Sequence, residues 1–212
     1  MTQPLRLMLC DCALPMVQAW QAYFGHVPNV EVMCDDIASV DADALLAPVS
    51  SFGRVDGGLD SESLSLLGEE FESELQAVIR SNHDGELVVG LAEILITRGS
   101  QFPFVVCAPI ARTPQNVSRT VNSYLAMRAA LLAVGRFNEL HGDVIGSLVA
   151  PGLGVGNGLM PPLRAARQMR AAYDTVMFGS PPSADISLDA AVDSDDKTVV
   201  RVVEANVPGV AA

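Results

Sequence analysis

Residues 144–178 run strand, glycine loop, helix, and no other feature constrains the fold as tightly. Val144–Ala150 is a short apolar run of the kind buried inside a sheet. It passes straight into Pro151-Gly152-Leu153-Gly154-Val155-Gly156-Asn157-Gly158, which is too rich in glycine for regular structure. A helix then starts near Pro161-Pro162, where proline suits the first turn. Its apolar stripe is Ala165, Ala166, Met169, Ala172, Tyr173 and Val176, with Arg164, Arg167, Gln168 and Asp174 read as a solvated opposite face. Strand-to-helix loops of this kind belong to α/β sheets, where they gather at the carboxyl ends of parallel strands.

The rest of the chain repeats the alternation. Leu5–Cys10, Val30–Cys34, Ala44–Ala47, Glu93–Thr97 and Phe104–Ala108 read as strands. Helices are expected from Ala13 to Phe24, along the stripe Leu64, Leu67, Phe71, Leu75 and Val78, and along Val117, Val121, Leu125 and Leu132. The predicted class is therefore α/β: three layers, α/β/α, around a mixed, largely parallel central sheet. Residues 1–180 form the expected domain. From Ser180 the composition turns to Ser, Pro, Asp and Ala, so 181–212 reads as an acidic C-terminal tail, with Thr198–Val203 a candidate added edge strand.

Charge narrows the function. With 25 acidic against 13 basic residues the formal charge is −12, which disfavours binding to a nucleic-acid backbone, because counterion release needs a basic surface. A small anion remains compatible, since main-chain N–H groups hold phosphate without formal charge. Cys10, Cys12, Cys34 and Cys107 lie in or beside strand-like runs and are expected as buried, reduced thiols. They lack metal-ligand spacing, and His26, His83 and His141 are scattered and read as surface or loop residues, so neither a metal nor another cofactor is predicted. No apolar run reaches membrane-spanning length or forms a secretion signal, so a soluble, cytoplasmic protein is expected. The oligomeric state is left open.

Three segments occupy loop positions suited to chemistry. Asp35-Asp36-Ile37 follows the second strand; an acid there accepts from an exocyclic amine or caps a turn. Ser50-Ser51-Phe52-Gly53-Arg54-Val55-Asp56-Gly57-Gly58 offers hydroxyls, a carboxylate and backbone that can approach a sugar closely, or serves as an ordinary connection to the next helix. Gly152–Gly158 offers consecutive N–H groups for an anion, or a flexible turn. A dinucleotide-oxidoreductase fingerprint fails because the glycine loop comes late, and no Gly-Lys-Ser/Thr phosphate loop is present.

In order and spacing these segments resemble the macro domain, an ADP-ribose-binding family. The resemblance rests on Asp35-Asp36-Ile37, Asp43-Ala44-Leu45-Leu46-Ala47-Pro48-Val49-Ser50, Val55-Asp56-Gly57-Gly58-Leu59 and Gly154-Val155-Gly156-Asn157-Gly158-Leu159-Met160-Pro161, with Gly90–Ile94 and Phe102–Val106 between them. It spans roughly Leu5 to Phe178 and looks closest to divergent bacterial and bacteriophage macro-like proteins with a Ser-Phe-Gly-x-x-Asp-Gly-Gly loop. The resemblance implies that Asp36 accepts from the adenine amine and that the Ile37 backbone holds the ring. Ser50 would stand beside the ribose, with Ser51, Gly53 and Gly57 in the same binding loop, and Asp56 would orient water in a hydrolytic member. Gly154, Val155, Gly156, Asn157 and Gly158 would wrap the diphosphate and distal ribose.

Three functions follow from the resemblance: binding of ADP-ribose or a related NAD-derived nucleotide, hydrolysis of an ADP-ribosyl adduct, or a scaffold with a degenerate pocket. Ala47 and Ser50 stand where the family carries asparagines, and Arg54 where common hydrolases have glycine. A hydroxyl has one donor and a shorter reach than an amide, so placed-water catalysis suffers more from these changes than binding by main-chain amides does.

Overall fold

The structure is a computed structural model that describes residues 4–55, 67, 70–97 and 100–180. Its elements are β1 (Arg6–Cys10), α1 (Leu14–Phe24), β2 (Val30–Met33), β3 (Ala44–Ser50), α2 (Phe71–Asn82), β4 (Glu93–Ile96), β5 (Phe104–Ala111), α3 (Asn122–His141), β6 (Ser147–Ala150) and α4 (Pro162–Phe178). The six strands lie in the order β2-β1-β6-β3-β5-β4. Every pairing is parallel except β4 against β5, so the sheet is mixed and largely parallel as expected. Helices on both faces bury it, which is why β3, central and apolar throughout, is buried at all seven positions.

Two cores fill the layers. One face of the sheet packs Leu7, Leu9, Leu46 and Leu148 against Trp20, Met127, Leu131 and Met169 of α1, α3 and α4. The other packs Met8, Leu45, Val105 and Cys107 against Phe71, Leu75 and Ile79 of α2. Adjacent strand residues serve opposite cores because their side chains alternate across the sheet. Among the described residues, no helix is long and apolar enough to cross a membrane.

At the amino ends of the strands, Asp43 joins β3 to β6. Its Oδ2 accepts from Gly146 N at 2.9 Å, Ser147 N at 2.8 Å and Ser147 Oγ at 2.9 Å. That clamp sets the register of two strands a hundred residues apart in the chain, at the end of the sheet away from the loops.

Several local expectations are corrected. On α3 the buried stripe is Tyr124, Met127, Leu131 and Val134 with Ala126 and Ala130, rather than the Val121, Leu125 and Leu132 face. Alanines count as core here because α3 must pack closely on both β5 and α4. The polar face of α4 is not simply solvated. Gln168 is 3% exposed; its Oε1 accepts from Tyr124 N at 3.2 Å and its Nε2 donates to Thr120 O at 2.8 Å. Arg170 grips Asp174 at 2.8 Å and the Tyr23 carbonyl of α1. All four cysteines are free thiols, but only Cys10 and Cys107 are buried; Cys12 and Cys34 follow strand ends and are exposed. His83 is not a bare surface residue, since its Nε2 lies 2.6 Å from Glu93 Oε1.

Residues 56–66, with Asp56 and Gly57, lie outside the described residues, as do the Arg98-Gly99 turn and the tail 181–212 with its candidate strand.

Candidate functional site at the carboxyl edge of the sheet

The loops leaving β1, β2, β3, β5 and β6 meet around one cleft of about 450 Å³. The strand order sets the order of groups along it. Asp35-Asp36-Ile37 follows β2 and Asp11 follows β1. Pro151–Gly158 follows β6, Ser50 and Arg54 close β3, and Ala111–Val117 follows β5. With strands about 4.8 Å apart, the cleft crosses four spacings, about 19 Å. It runs from an acidic end through a wall of main-chain amides to a single arginine. Among the described residues, Arg54 is the one basic side chain lining it.

The glycine loop is held rigidly. Gly154 adopts φ +78°, and a Cβ there would press on Val117 and Ile110 at 3.2 and 3.3 Å. Gly152 has no room for a side chain between Val155, Asp11 and Met16. Gly158 lies so close to the Gly154 carbonyl that a Cβ would fall 2.5 Å from its oxygen. Hydrogen bonds lock the same backbone: Met160 N donates to Gly154 O at 2.9 Å, Val117 N to Gly158 O at 2.8 Å, and Ser123 Oγ to Leu153 O at 2.8 Å. By contrast, no protein acceptor among the described residues takes the N–H groups of Gly156, Asn157 and Gly158. A fixed loop with spare donors is preorganised for an anion.

At the acidic end, Asp36 Oδ1 accepts from Ala38 N at 2.8 Å and caps a short 3-10 turn, Ile37–Ser39. The cap and the cleft wall are thus the same residue. Ile37 packs its side chain into the core at 7% exposure, while its N–H meets no protein acceptor among the described residues. Asp11 spans two elements, with Oδ1 accepting from Ala13 N at 2.8 Å at the start of α1 and Oδ2 from Gly152 N at 3.3 Å. Cys10 and Cys12 both donate to the Asp35 carbonyl, at 3.2 and 3.4 Å. Burial pushes the Cys10 thiol up to about 12, so it stays protonated at neutral pH.

At the β3 end, Ser50 N donates to Arg54 O at 2.8 Å, while Ser50 Oγ accepts from Arg54 N at 3.2 Å. Val55 N donates to Glu72 Oε1 at 2.9 Å, fastening the turn to α2. The turn therefore fixes the backbone from which the Arg54 guanidinium projects.

Of the residues singled out in the sequence, Asp36, Ile37, Ser50, Gly154, Val155, Gly156, Asn157 and Gly158 line this cleft. Ser51 and Gly53 do not. Ser51 is 1% exposed and its N–H is shared between the Ala111 and Arg112 carbonyls. Gly53, at φ +73°, backs onto Leu75, Gln76 and Ile79 of α2. Both brace the turn from behind. Sequence reasoning passed over Asp11, although an acid immediately after an apolar strand is the signal that drew attention to Asp36. It also passed over Ile110, Thr113, Pro114, Gln115 and Val117, which carry no motif.

No protein-family model matches the chain. It is 35% identical over 143 residues to an uncharacterised protein of Aquifex aeolicus (strain VF5), a match spanning 66% of this chain and 78% of that one, and it belongs to the same family. Among solved structures it is similar to the macrodomain of Mycobacterium tuberculosis DarG, with a TM-score of 0.53 and 17% identity over 66% of this chain and 87% of that one. It is also similar to the Oceanobacillus iheyensis macrodomain with MES bound, with a TM-score of 0.51 and 15% identity over 82% of this chain and 90% of that one. With helices on both faces of this mixed sheet and its loops converging at one edge, the chain has the fold of these macrodomains.

Proposed function

We propose that the cleft binds ADP-ribose or a closely related ADP-ribosyl nucleotide. One observation carries the reading: the acidic end, the preorganised amide loop and the Ser50–Arg54 turn line a single cleft in that order. The exocyclic amine of an adenine donates toward Asp36 and the Ile37 N–H holds the ring. The diphosphate lies along the N–H groups of Gly156, Asn157 and Gly158, and the distal ribose reaches Ser50. Asp11, Asp35 and Asp36 would repel phosphate at the adenine end, which orients the ligand one way round. A calorimetric titration of the full chain with ADP-ribose tests this. Saturable binding that adenosine cannot reproduce supports the reading, and no heat at millimolar ligand removes it.

A second reading is hydrolysis of an ADP-ribosyl adduct: the Ser50–Arg54 turn in the cleft wall leads directly toward Asp56 in the sequence, although Arg54 itself departs from the glycine of common hydrolases. In it, Asp56 orients water toward the anomeric carbon. Asp56→Ala would then cut turnover of an ADP-ribosylated substrate by at least about a hundredfold while leaving ADP-ribose affinity nearly unchanged. Equal turnover in both proteins rejects the role.

A further inference from the structure

The charges lining the cleft are divided between its ends. Asp11, Asp35 and Asp36 stand at the β1–β2 end. Arg54 stands at the β3–β5 end, where the other polar side chains in the lining, Ser50, Thr113 and Gln115, are uncharged. Strand β3 lies two spacings from β1 and three from β2, about 10 and 14 Å. Both exceed the Debye length of about 8 Å at physiological salt, so the aspartates do little to offset Arg54.

Charged neighbours do not neutralise it either. Arg112 follows β5 but is held by Glu86 at 2.7 Å and lies outside the cleft lining. Glu72 accepts from Val55 N on the side where Val55 packs against Phe71, Leu75 and Ile79, and neither Glu72 nor Val55 lines the cleft. Among the described residues, the Arg54 guanidinium has no carboxylate or carbonyl partner. Its backbone is nevertheless fixed, because Ser50 binds both the Arg54 carbonyl and the Arg54 N–H. A positive charge is thus anchored at one end of the cleft with nothing of the chain's own to answer it.

A nucleotide with its adenine at Asp36 brings the anomeric carbon of its distal ribose to Ser50, and the group on that carbon toward Arg54. We infer, on the binding mode proposed above, that Arg54 is the specificity-determining residue for that group. The cleft takes ADP-ribosyl compounds whose anomeric group is neutral or anionic, and discriminates against a cationic one such as the pyridinium of NAD+ or a guanidinium adduct. The chain as a whole opposes such a preference. At a formal charge of −12 its long-range field favours the less negative of two ligands, so selection against a cation has to come from a local positive charge.

NAD+ and NADH separate charge from shape, since they differ by one hydride and hence by the positive charge of the nicotinamide ring. The test is calorimetric titration of the full chain, and of its R54Q and R54E variants, with ADP-ribose, NADH and NAD+ at low and high ionic strength. Wild type is expected to bind NADH about tenfold or more tightly than NAD+ at low ionic strength, the gap narrowing as salt is added. R54Q keeps the main-chain bonds of the turn and should melt with the wild type while the gap closes to about twofold or less, and R54E should reverse it. Equal wild-type affinity for the two dinucleotides overturns the inference, as does a gap that persists in R54Q. A cleft that takes ADP-ribose but neither dinucleotide selects by size, which overturns it too and leaves the binding mode standing. No heat with ADP-ribose in the wild type removes both.

Discussion

Replacing Gly158 by alanine would put a methyl carbon 2.5 Å from the Gly154 carbonyl oxygen and 2.7 Å from Val117 Cγ2. Ordinary contacts at such a carbon begin near 3.4 Å, so the loop must open by about 0.9 Å. The side chain of Val117 can turn away, but the carbonyl cannot, because Gly154 O accepts from Met160 N and Gly158 O from Val117 N. Opening the loop strains both bonds. Overpacking of this kind costs about 1–3 kcal/mol, and in a domain of this size each kcal/mol lowers Tm by about 2–4 °C. The same shift moves the N–H groups of Gly156 and Asn157 off a bound diphosphate. Losing one charge-assisted bond is worth about 1.5–3 kcal/mol, or roughly a ten- to hundredfold weaker Kd for ADP-ribose. Gly135→Ala is the control: a Cβ at this site inside α3 meets nothing within 4 Å, so alanine should raise stability by about 0.5–1 kcal/mol and leave affinity alone. Thermal melts test the packing without any assumption about the ligand, and calorimetry tests the cleft. A Gly158→Ala protein with parental Tm and parental affinity would refute the geometry from which both numbers come.

Three further outcomes are expected. With Ellman's reagent, Cys12 and Cys34 should react in the native protein and Cys10 and Cys107 only after denaturation; Cys12, which lines the cleft, should slow when ADP-ribose is bound. Burial raises the folded-state pKa of Cys10 and Cys107 above the ordinary thiol value of 9.0. The native state thus keeps protons that the unfolded chain releases, and their stabilisation is whole below about pH 9 and lost as pH rises. Cys107 alone should account for a decline approaching 1.4 kcal/mol per pH unit above that value. Denaturant melts at pH 8 to 10.5 check this, and Cys107→Ala should flatten the slope. Gln168→Ala strands the buried Tyr124 N–H and the Thr120 carbonyl and should cost about 2–3 kcal/mol, read as a lower midpoint with unchanged denaturant slope.

The layers were legible in the sequence because β3, β5 and β6 are continuous apolar runs and α4 has a sharp stripe after two prolines. The face of α3 was not, because its contacts with β5 and α4 use alanines, and hydrophobic period alone cannot tell a small residue chosen for close approach from one on the surface. Gln168 and Asp43 escaped for a related reason: a polar residue looks solvated until its partners, tens or a hundred residues away, are known. At the cleft, glycine and aspartate next to strand ends pointed to the right edge of the sheet. Ser51 and Gly53 carried the same composition and turned out to face inward, since what decides them is the left-handed turn at Gly53 and its packing on α2. Thr113–Val117 reaches the cleft purely by topology.

The place of β6 between β1 and β3 has a consequence for biosynthesis. During translation the strands on either side are made early, yet the piece that joins them is not available until Ala150 has been added, and α4, which covers it, follows later still. At about 5–20 residues per second, nascent β1 and β3 each wait several seconds or more with an inner edge unsatisfied. Such an intermediate is a natural client for a ribosome-associated chaperone, and slowing codons placed before residue 147 should lower the soluble yield more than the same codons placed after 178.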